Sequence, residues 1–354
     1  MGVAIVKYVD EKKMEESVTI KDIAKILGIS KSTVSRALSE HSDVNQATRK
    51  RILELAEKLN YQPNAIALNL KQQRTNTIGV IIPETVNRFF AKAIGGIQRV
   101  ANLKGYNVVI CQSDESYLTE RSNLRSLVAS HVDGVLISVS SETDRTDHFD
   151  TLLQKKIPVV FFDRICEELL TSQVFTDNYE ISFAGTEHLL EQGCKHIAIV
   201  TGPQNLHNSR NRLKGYMDAL TKHRIPVDER YIVHSHFRGG NIEEYTNTLI
   251  ALPQRPDAIF AINDYAAIEM MHYLKKQGFR VPEDIAMLGF NNENIGRFVE
   301  PSLSTIDLNA YDMGTASAEI LLNQIKNSGY PIQKQLVKSK LIVRESTTKR
   351  SERK

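Results

Sequence analysis

The residues best suited to recognising another molecule stand close together in one short segment, residues 31–36. Its polar members are two cations, Lys31 and Arg36, and three hydroxyl side chains, Ser32, Thr33 and Ser35. Serine and threonine can hydrogen-bond either partner of a base pair, and arginine can bind guanine through two parallel bonds or hold a phosphate. The chemistry that these side chains offer is contact with nucleic acid.

Two predicted helices position this segment. Thr19 followed three residues later by Asp22 forms a capping box, so the first helix begins near Ile20, and Gly28 favours the left-handed cap that ends it. Ser30 is placed to cap the second helix. The inward face of that helix comprises Val34, Ala37 and Leu38. Two short helices joined by a tight turn are typical of the helix-turn-helix, although caps and periodicity alone also fit an ordinary helical hairpin with a solvated polar face.

Two further helical segments follow. Asn45 can cap a third helix that runs to about Lys58, with basic residues near its start. Residues 64–71 form a helical pattern of roughly two turns, which in isolation is too short to be stable in water. We expect the order of this last segment to be coupled to binding of DNA and of a partner chain.

Residues 18–71 resemble the headpiece of the lactose-repressor (LacI/GalR) family of bacterial transcription regulators. The resemblance is carried by VTIKDIA at 18–24, STVSRAL at 32–38 and NYQPN at 60–64. It implies a homodimer that binds a near-palindromic operator through two headpieces, with hinge helices that meet in the minor groove and insert Leu70 between base pairs. Lys31 and Ser32 occupy variable positions, so the operator sequence is not implied. The expected DNA contacts are Thr19, Lys31, Ser32, Thr33, Ser35, Arg36, Asn45, Asn64, Ala67 and Leu70.

Composition and charge agree with a soluble DNA-binding protein of two or three domains. The chain has 354 residues, of which 41% are hydrophobic and 25% charged, as in ordinary globular proteins. Its net charge is +3, yet residues 17–75 hold ten cationic against five acidic side chains, so the positive excess lies where phosphates would be met. The three cysteines are an odd number without metal-like spacing, which favours free thiols in a reducing compartment.

The sequence also predicts the domain boundaries. The first ten residues hold only a four-residue apolar run, too short for a signal peptide, and no membrane-length run occurs later, so we expect a cytoplasmic protein without a membrane partner. We expect a flexible extension over 1–16, the DNA-binding domain over 17–63, the hinge helix and linker over 64–75, a two-lobed effector-binding and dimerisation domain over 76–345 and a flexible tail over 346–354.

From residue 76 onward, apolar strand-like runs alternate with helical segments, which indicates a doubly wound parallel α/β sheet. The pattern starts again at residue 196, and GYMDAL at 215–220 repeats the helical position of GIQRVA at 96–101, which indicates a distant internal duplication. Two similar lobes imply a cleft at the carboxyl ends of their strands, where such sheets bind ligands. This body resembles the sugar-binding periplasmic proteins and the effector domain of the same repressor family.

The family pattern implies a set of contacts to a small-molecule effector in this cleft. Asp177 and Asn263 also follow strand-like runs, which places them at its mouth, and Arg212 could donate two parallel hydrogen bonds. Phe90 has the helical spacing of plain core as well as the aromatic face of a ligand contact. The implied contacts are Phe89, Phe90, Asp163, Phe175, Asp177, Arg212, Phe237, Asn263 and Asn291.

One departure from the family concerns the ligand. After the last strand of the second lobe the family commonly has two aspartates, whereas this chain has Asn291 and Asn292. An amide donates as well as accepts hydrogen bonds and carries no charge, so Arg212 would be less neutralised and an anionic or carbonyl-bearing ligand more acceptable. Asp163 and Asp177 could still supply the negative charge.

Catalytic and metal motifs are absent from the sequence. It contains no phosphate-binding loop, nucleophile elbow or dinucleotide turn, and His234 and His236 share a strand face without further ligands nearby. The sequence therefore predicts neither cofactor nor metal. The favoured interpretation is a ligand-responsive transcription regulator, a repressor whose expected effector is a sugar, a sugar phosphate or a related metabolite. A solute-binding sensor without DNA activity is the alternative, and a carbohydrate-active enzyme is a distant third.

Overall fold

The computed structural model describes residues 18–39, 43–61, 74–86, 88–236 and 241–348. The chain divides into two compact units, residues 1–75 and 76–354. The extension over 1–16 and the segment 62–73, which holds most of the predicted hinge, lie outside the described residues.

The first unit is a small helical domain built on the predicted caps. Its helices are α1 (Ile20–Leu27), α2 (Lys31–Leu38) and α3 (Gln46–Lys58). The Thr19 N–H and hydroxyl both donate to Asp22 Oδ2, at 3.0 and 2.6 Å, and Gly28 ends α1 in the left-handed region with φ 65°. The three helices share one core of Ile23, Ala24, Val34, Ala37, Ile52 and Ala56. The predicted helical starts, stops and inward faces are confirmed.

The second unit contains two mostly parallel sheets with the same strand order. The first sheet runs β11-β5-β4-β3-β1-β2 and the second β12-β10-β9-β8-β6-β7. The strands are β1 (Thr77–Ile82), β2 (Asn107–Gln112), β3 (Gly134–Ile137), β4 (Val159–Phe162), β5 (Ser172–Thr176), β6 (Ile197–Thr201), β7 (Ile232–His234), β8 (Ala258–Phe260), β9 (Ala286–Phe290), β10 (Ser304–Asp307), β11 (Lys334–Val337) and β12 (Lys340–Ile342). The five-strand order repeats from one sheet to the other, which confirms the internal duplication.

Helices cover the faces of both sheets. The first lobe carries α4 (Arg88–Leu103), α5 (Tyr117–Ala129), α6 (Asp150–Gln154) and α11 (Ala310–Lys326) around its sheet. The second lobe carries α7 (Asn178–Glu191), α8 (His207–Lys222), α9 (Ile242–Ile250) and α10 (Asp264–Lys276). Strands β1, β3 and β4 are buried almost throughout, as expected for parallel strands covered on both sides.

A glycine permits the closest helix contact in each lobe. A side chain at Gly96 of α4 would collide with the backbone carbonyl of Tyr311 in α11, and one at Gly215 of α8 would collide with the carbonyl of Tyr179 in α7. Only a residue without a Cβ atom lets the two helix backbones come this close. These two glycines occupy the positions at which the sequence pattern repeats.

The end of the chain connects the lobes. Strand β11 extends the first sheet by pairing parallel with β5. After two connecting residues, β12 pairs antiparallel with β10 in the second sheet. The predicted tail from residue 346 begins too early: Ser346 and Thr347 are fully buried, and the Ser346 hydroxyl donates to the Met287 carbonyl at 2.6 Å. These hydroxyls satisfy polar groups at the end of the second sheet, so the folded body includes them.

Candidate functional site

The predicted DNA-reading side chains lie on the outer face of α2. The Ser30 hydroxyl accepts the Thr33 N–H at 3.1 Å and caps the helix. Lys31, Ser32 and Arg36 are exposed, whereas Thr33 and Ser35 are half-buried beside them. The face therefore offers two cations and hydroxyl groups to a partner, as a recognition helix requires.

Of the other predicted headpiece contacts, two lie at helix starts and three lie outside the described residues. Thr19 and Asn45 are exposed at the starts of α1 and α3, where Asn45 Oδ1 accepts the Ala47 N–H at 2.8 Å. Asn64, Ala67 and Leu70 lie outside the described residues, so the minor-groove wedge stays a prediction.

A cleft between the two lobes brings together six of the nine predicted effector contacts. It is open to solvent. Phe89, Phe90 and Asp163 line it from the first lobe, and Arg212, Asn263 and Asn291 from the second. Phe89 and Phe90 are 3% and 2% exposed and also belong to the hydrophobic core. Phe90 is therefore both a core residue and a residue of the cleft wall, as its two sequence interpretations suggested.

Arg212 on α8 is held in place before any ligand arrives. Its Nε donates to Asn178 Oδ1 at 2.8 Å, and its Cζ lies 4.0 Å from the centre of the Phe290 ring. Burial lowers the pKa of Arg212 to about 10, an effect that the Asp163 carboxylate opposes. The guanidinium is still charged at neutral pH, and its orientation is fixed by an amide and an aromatic ring.

Asp163 supplies the negative charge of the cleft. It follows β4 with φ 59°, is 4% exposed, and its Oδ1 has no hydrogen-bond partner among the described residues. Burial raises the pKa of this carboxyl, while Arg164 and Arg212 oppose that rise. A buried acceptor without a partner is unfavourable, and a ligand hydroxyl could supply the missing donor.

The amide residues at the second-lobe edge differ in their roles. Asn263 caps α10 through its Oδ1, which accepts the Ala266 N–H at 2.8 Å. Asn291 lines the cleft with φ 97°, whereas Asn292 bonds Asp307 and Arg344 at 2.9 and 2.7 Å and does not line it. Only the first residue of the departing pair therefore lines the cleft.

Three predicted contacts are not among the residues that line the cleft. Phe175 packs against the first-lobe core with its ring 6.1 Å from His207, and Asp177 Oδ1 accepts the Ser339 N–H at 2.9 Å, which ties β5 to the end of the chain. In this geometry both side chains contact other parts of the fold, and their contact with an effector stays a prediction. Phe237 lies outside the described residues.

Four residues that the sequence did not single out also line the cleft: Arg164, Asn208, Ile262 and Leu308. Asn208 lies one helical turn before Arg212, so its spacing could have revealed it. Arg164 donates to Glu115 Oε2 at 2.7 Å, and the same oxygen accepts the Ser141 N–H at 2.7 Å. No local pattern predicts this pairing, since its partners stand far apart in the chain.

Histidine and carboxylate groups do not converge on a metal-binding arrangement in the described part of the chain. His234 and His236 are both exposed at the end of β7. Among the described residues, no helix is long and apolar enough to cross a membrane.

Two family models match the sequence. Residues 19–64 match the lacI family of bacterial regulatory proteins, and residues 186–347 match a periplasmic binding protein-like domain. The first match covers the helical unit and the second covers most of the second lobe and the end of the chain.

Similar proteins cover nearly the whole chain. The transcriptional repressor CytR of Escherichia coli K12 is 32% identical over 95% of this chain and 98% of its own length. The repressor PurR of Photobacterium profundum is 31% identical over 93% of this chain and 98% of its own length.

Solved structures agree with these sequence matches. The lac repressor dimer bound to operator and the anti-inducer ONPF is 24% identical, with a TM-score of 0.84 over 94% of this chain and 99% of that one. A regulator from Enterococcus faecium with bound ribose is 27% identical, with a TM-score of 0.70 over 78% of this chain and 100% of that one. With matching family models and relatives above 30% identity over nearly its full length, this chain belongs to the LacI family of bacterial transcription regulators.

Proposed function

We propose that this protein is a ligand-responsive transcriptional repressor that binds a near-palindromic operator as a homodimer and changes its DNA affinity when a small metabolite occupies the cleft. The observation that carries the proposal is the presence, in one chain, of an exposed cationic recognition helix and of a cleft that places Arg212 opposite Asp163. The first feature supports DNA binding, and the second supports recognition of a ligand.

The chemistry of the cleft favours a neutral, polyhydroxylated ligand, such as a sugar or the sugar part of a nucleoside. Asp163 Oδ1 lacks a donor and the Arg212 guanidinium can donate further bonds, so neighbouring hydroxyls that give one bond and accept another would satisfy both. The carboxylate already balances the guanidinium, which removes the reason to expect an anionic ligand. The Enterococcus faecium regulator with ribose and a CelR regulator with cellobiose are similar proteins that bind such ligands.

Operator binding in the presence of candidate ligands tests this proposal. An operator would first be selected from random DNA, and its affinity measured by fluorescence anisotropy with sugars, nucleosides and phosphorylated metabolites. We expect at least one neutral hydroxylated compound to shift the operator Kd and to be recovered unchanged, because the relatives are named as transcriptional repressors. Ligand turnover would favour an enzyme, and ligand binding without any operator binding would favour a solute sensor.

The recognition helix should contribute sequence readout. We expect Ser32→Ala and Arg36→Ala each to weaken binding to the selected operator by about 1–3 kcal/mol and to relax base preference. Lys58→Ala, at the exposed end of α3, is the matched control because it removes a cation away from this helix face. If the Ser32 and Arg36 variants bind the selected operator like the wild type, α2 is not the reading helix.

Strand β2 offers a surface for the partner subunit. It stands at the edge of the first sheet, with Val109 and Ile110 43% and 40% exposed. Apolar groups on an open strand edge favour association, and a charge there opposes it. We expect Ile110→Glu to shift the protein from dimer to monomer in analytical ultracentrifugation, whereas Leu170→Glu, at an 83% exposed position outside the strands, should leave the dimer unchanged. A dimeric Ile110→Glu protein would place the interface elsewhere.

A further inference from the structure

A groove on the first lobe, separate from the effector cleft, carries an excess of positive charge. We call it the basic groove; it lies between α5 and α6, is open to solvent, and shares no lining residue with the cleft. Its lining residues are Arg121, Leu124, Arg125, Val128, Ala129, Asp147, His148, Thr151 and Lys155.

Three cations line this groove without a bonding partner of their own. Arg121 and Arg125 stand four residues apart on α5, so they project from the same helix face, and Lys155 directly follows α6. None of the three side chains makes an ion pair or a hydrogen bond with another described residue. The groove also has one carboxylate, Asp147, which accepts the Tyr117 hydroxyl at 3.3 Å and lies 4.0 Å from Arg145 Nε. Three cations therefore face one carboxylate that already has partners.

A buried histidine forms part of the groove wall. The His148 side chain is 1% exposed, and its Nε2 lies 2.8 Å from Glu120 Oε1. Its Nδ1 has no hydrogen-bond partner among the described residues. Glu120 also accepts the Thr143 hydroxyl and the Ser140 N–H at 2.9 and 2.6 Å, which fixes the wall in place. A wall held in this way loses little conformational freedom when a ligand binds.

We propose that the basic groove binds a small phosphorylated metabolite. Arginine forks match phosphate oxygens geometrically, and the lysine adds a third charge. The apolar side chains of Leu124 and Val128 lie in the same groove and can contact the organic part of the ligand. The lining comes from two neighbouring helical segments only, whereas a nucleic acid needs an extended basic surface.

Calorimetry on the full chain tests the site, with glucose 6-phosphate, inorganic phosphate and glucose as probes. The groove variant combines Arg121→Gln with Arg125→Gln. Its matched control combines Arg99→Gln with Lys104→Gln, which removes two exposed charges from α4 and the turn after it. We expect saturable binding of glucose 6-phosphate to the wild type, a Kd at least ten-fold higher in the groove variant, and no change in the control or in Arg212→Ala.

The probes separate the possible outcomes. Equal affinity for inorganic phosphate would mean that the groove reads the phosphate alone, and weaker affinity would mean that it also contacts the organic part; both support the site. No saturable binding of either phosphate probe, equal binding of glucose to the Arg212→Ala protein, loss in the control, or loss in Arg212→Ala would each overturn it. Circular dichroism checks the fold of the double variant, and Lys155→Gln, at an exposed position, provides a second, milder variant with the same expected direction.

Discussion

Replacing Asp264 with asparagine should remove a pH-dependent loss of stability from the second lobe. Asp264 is fully buried at the start of α10, where its Oδ1 accepts the Thr305 hydroxyl at 2.5 Å and its Oδ2 accepts the Glu293 N–H at 2.6 Å. Burial raises the pKa of Asp264 from 3.8 to about 7, although these two hydrogen bonds oppose the rise. The carboxyl therefore holds its proton more tightly in the folded than in the unfolded chain.

The sign of the effect follows from this difference. Between pH 3.8 and about 7 the folded protein binds more protons at this site than the unfolded chain, so its stability falls as the pH rises through that interval. A shift of about three pH units corresponds to roughly 4 kcal/mol at its full extent. An asparagine amide has nearly the same shape, accepts the Glu293 N–H and never ionises.

Urea unfolding followed by circular dichroism at pH 4.5, 6 and 8 measures the effect, since the chain contains no tryptophan. We expect the free energy of unfolding of Asp264→Asn, relative to the wild type, to rise by several kcal/mol between pH 4.5 and 8. Asp312→Asn, at an exposed position on α11, should show no such trend. A constant difference across the three pH values would mean that Asp264 is ionised throughout and that its burial does not raise its pKa.

The features that were predictable from sequence depend on local contacts. The caps at Thr19, Ser30 and Asn45 each involve residues two or three positions away, so the helix starts follow directly from the sequence. Gly28 ends α1 for an equally local reason, its backbone conformation. Buried strands such as β1 and β4 are recognisable because both faces are covered and nearly every residue is apolar.

The features that were not predictable depend on distant partners. Strand β11 has three exposed residues of four, so its sequence does not indicate a strand until β5 is beside it. Asp177 was expected to meet a ligand, yet its carboxylate binds a backbone N–H that lies 162 residues later. The Arg164–Glu115 pair spans 49 residues and supports the cleft from behind. Such pairings depend on how the sheets assemble, and neither the hydrophobic periodicity nor the composition of the sequence indicates them.

Arg212 should be essential for the response to the effector and dispensable for DNA binding. It is the one cleft cation that the second lobe contributes among the lining residues, and Asn178 and Phe290 hold it in a fixed orientation. Two hydrogen bonds from a charged donor contribute about 3 kcal/mol together, so Arg212→Ala should weaken effector binding about 100-fold. Operator affinity without effector should change less than two-fold, because the recognition helix belongs to the other unit.

Three further variants separate the charge of Arg212 from its geometry. Arg212→Lys keeps the positive charge but loses the planar fork, so it should restore only part of the effector affinity. Asn178→Ala leaves the guanidinium intact but removes the acceptor for its Nε, and we expect a smaller loss that identifies Asn178 as a positioning residue. Asn291→Asp adds a carboxylate at the cleft edge and should shift preference further toward neutral polyols.

Calorimetry with the active ligand, and anisotropy with operator at saturating and zero ligand, measure both parts of the Arg212 prediction. The expected pattern is a ligand Kd that rises in the order wild type, Asn178→Ala, Arg212→Lys, Arg212→Ala, with operator Kd values that coincide when no ligand is present. Equal ligand affinity in wild type and Arg212→Ala would remove Arg212 from the site. A parallel loss of ligand-free operator binding would instead show that Arg212 supports the folded body, since a side chain that only contacts the ligand has no other route to the DNA affinity.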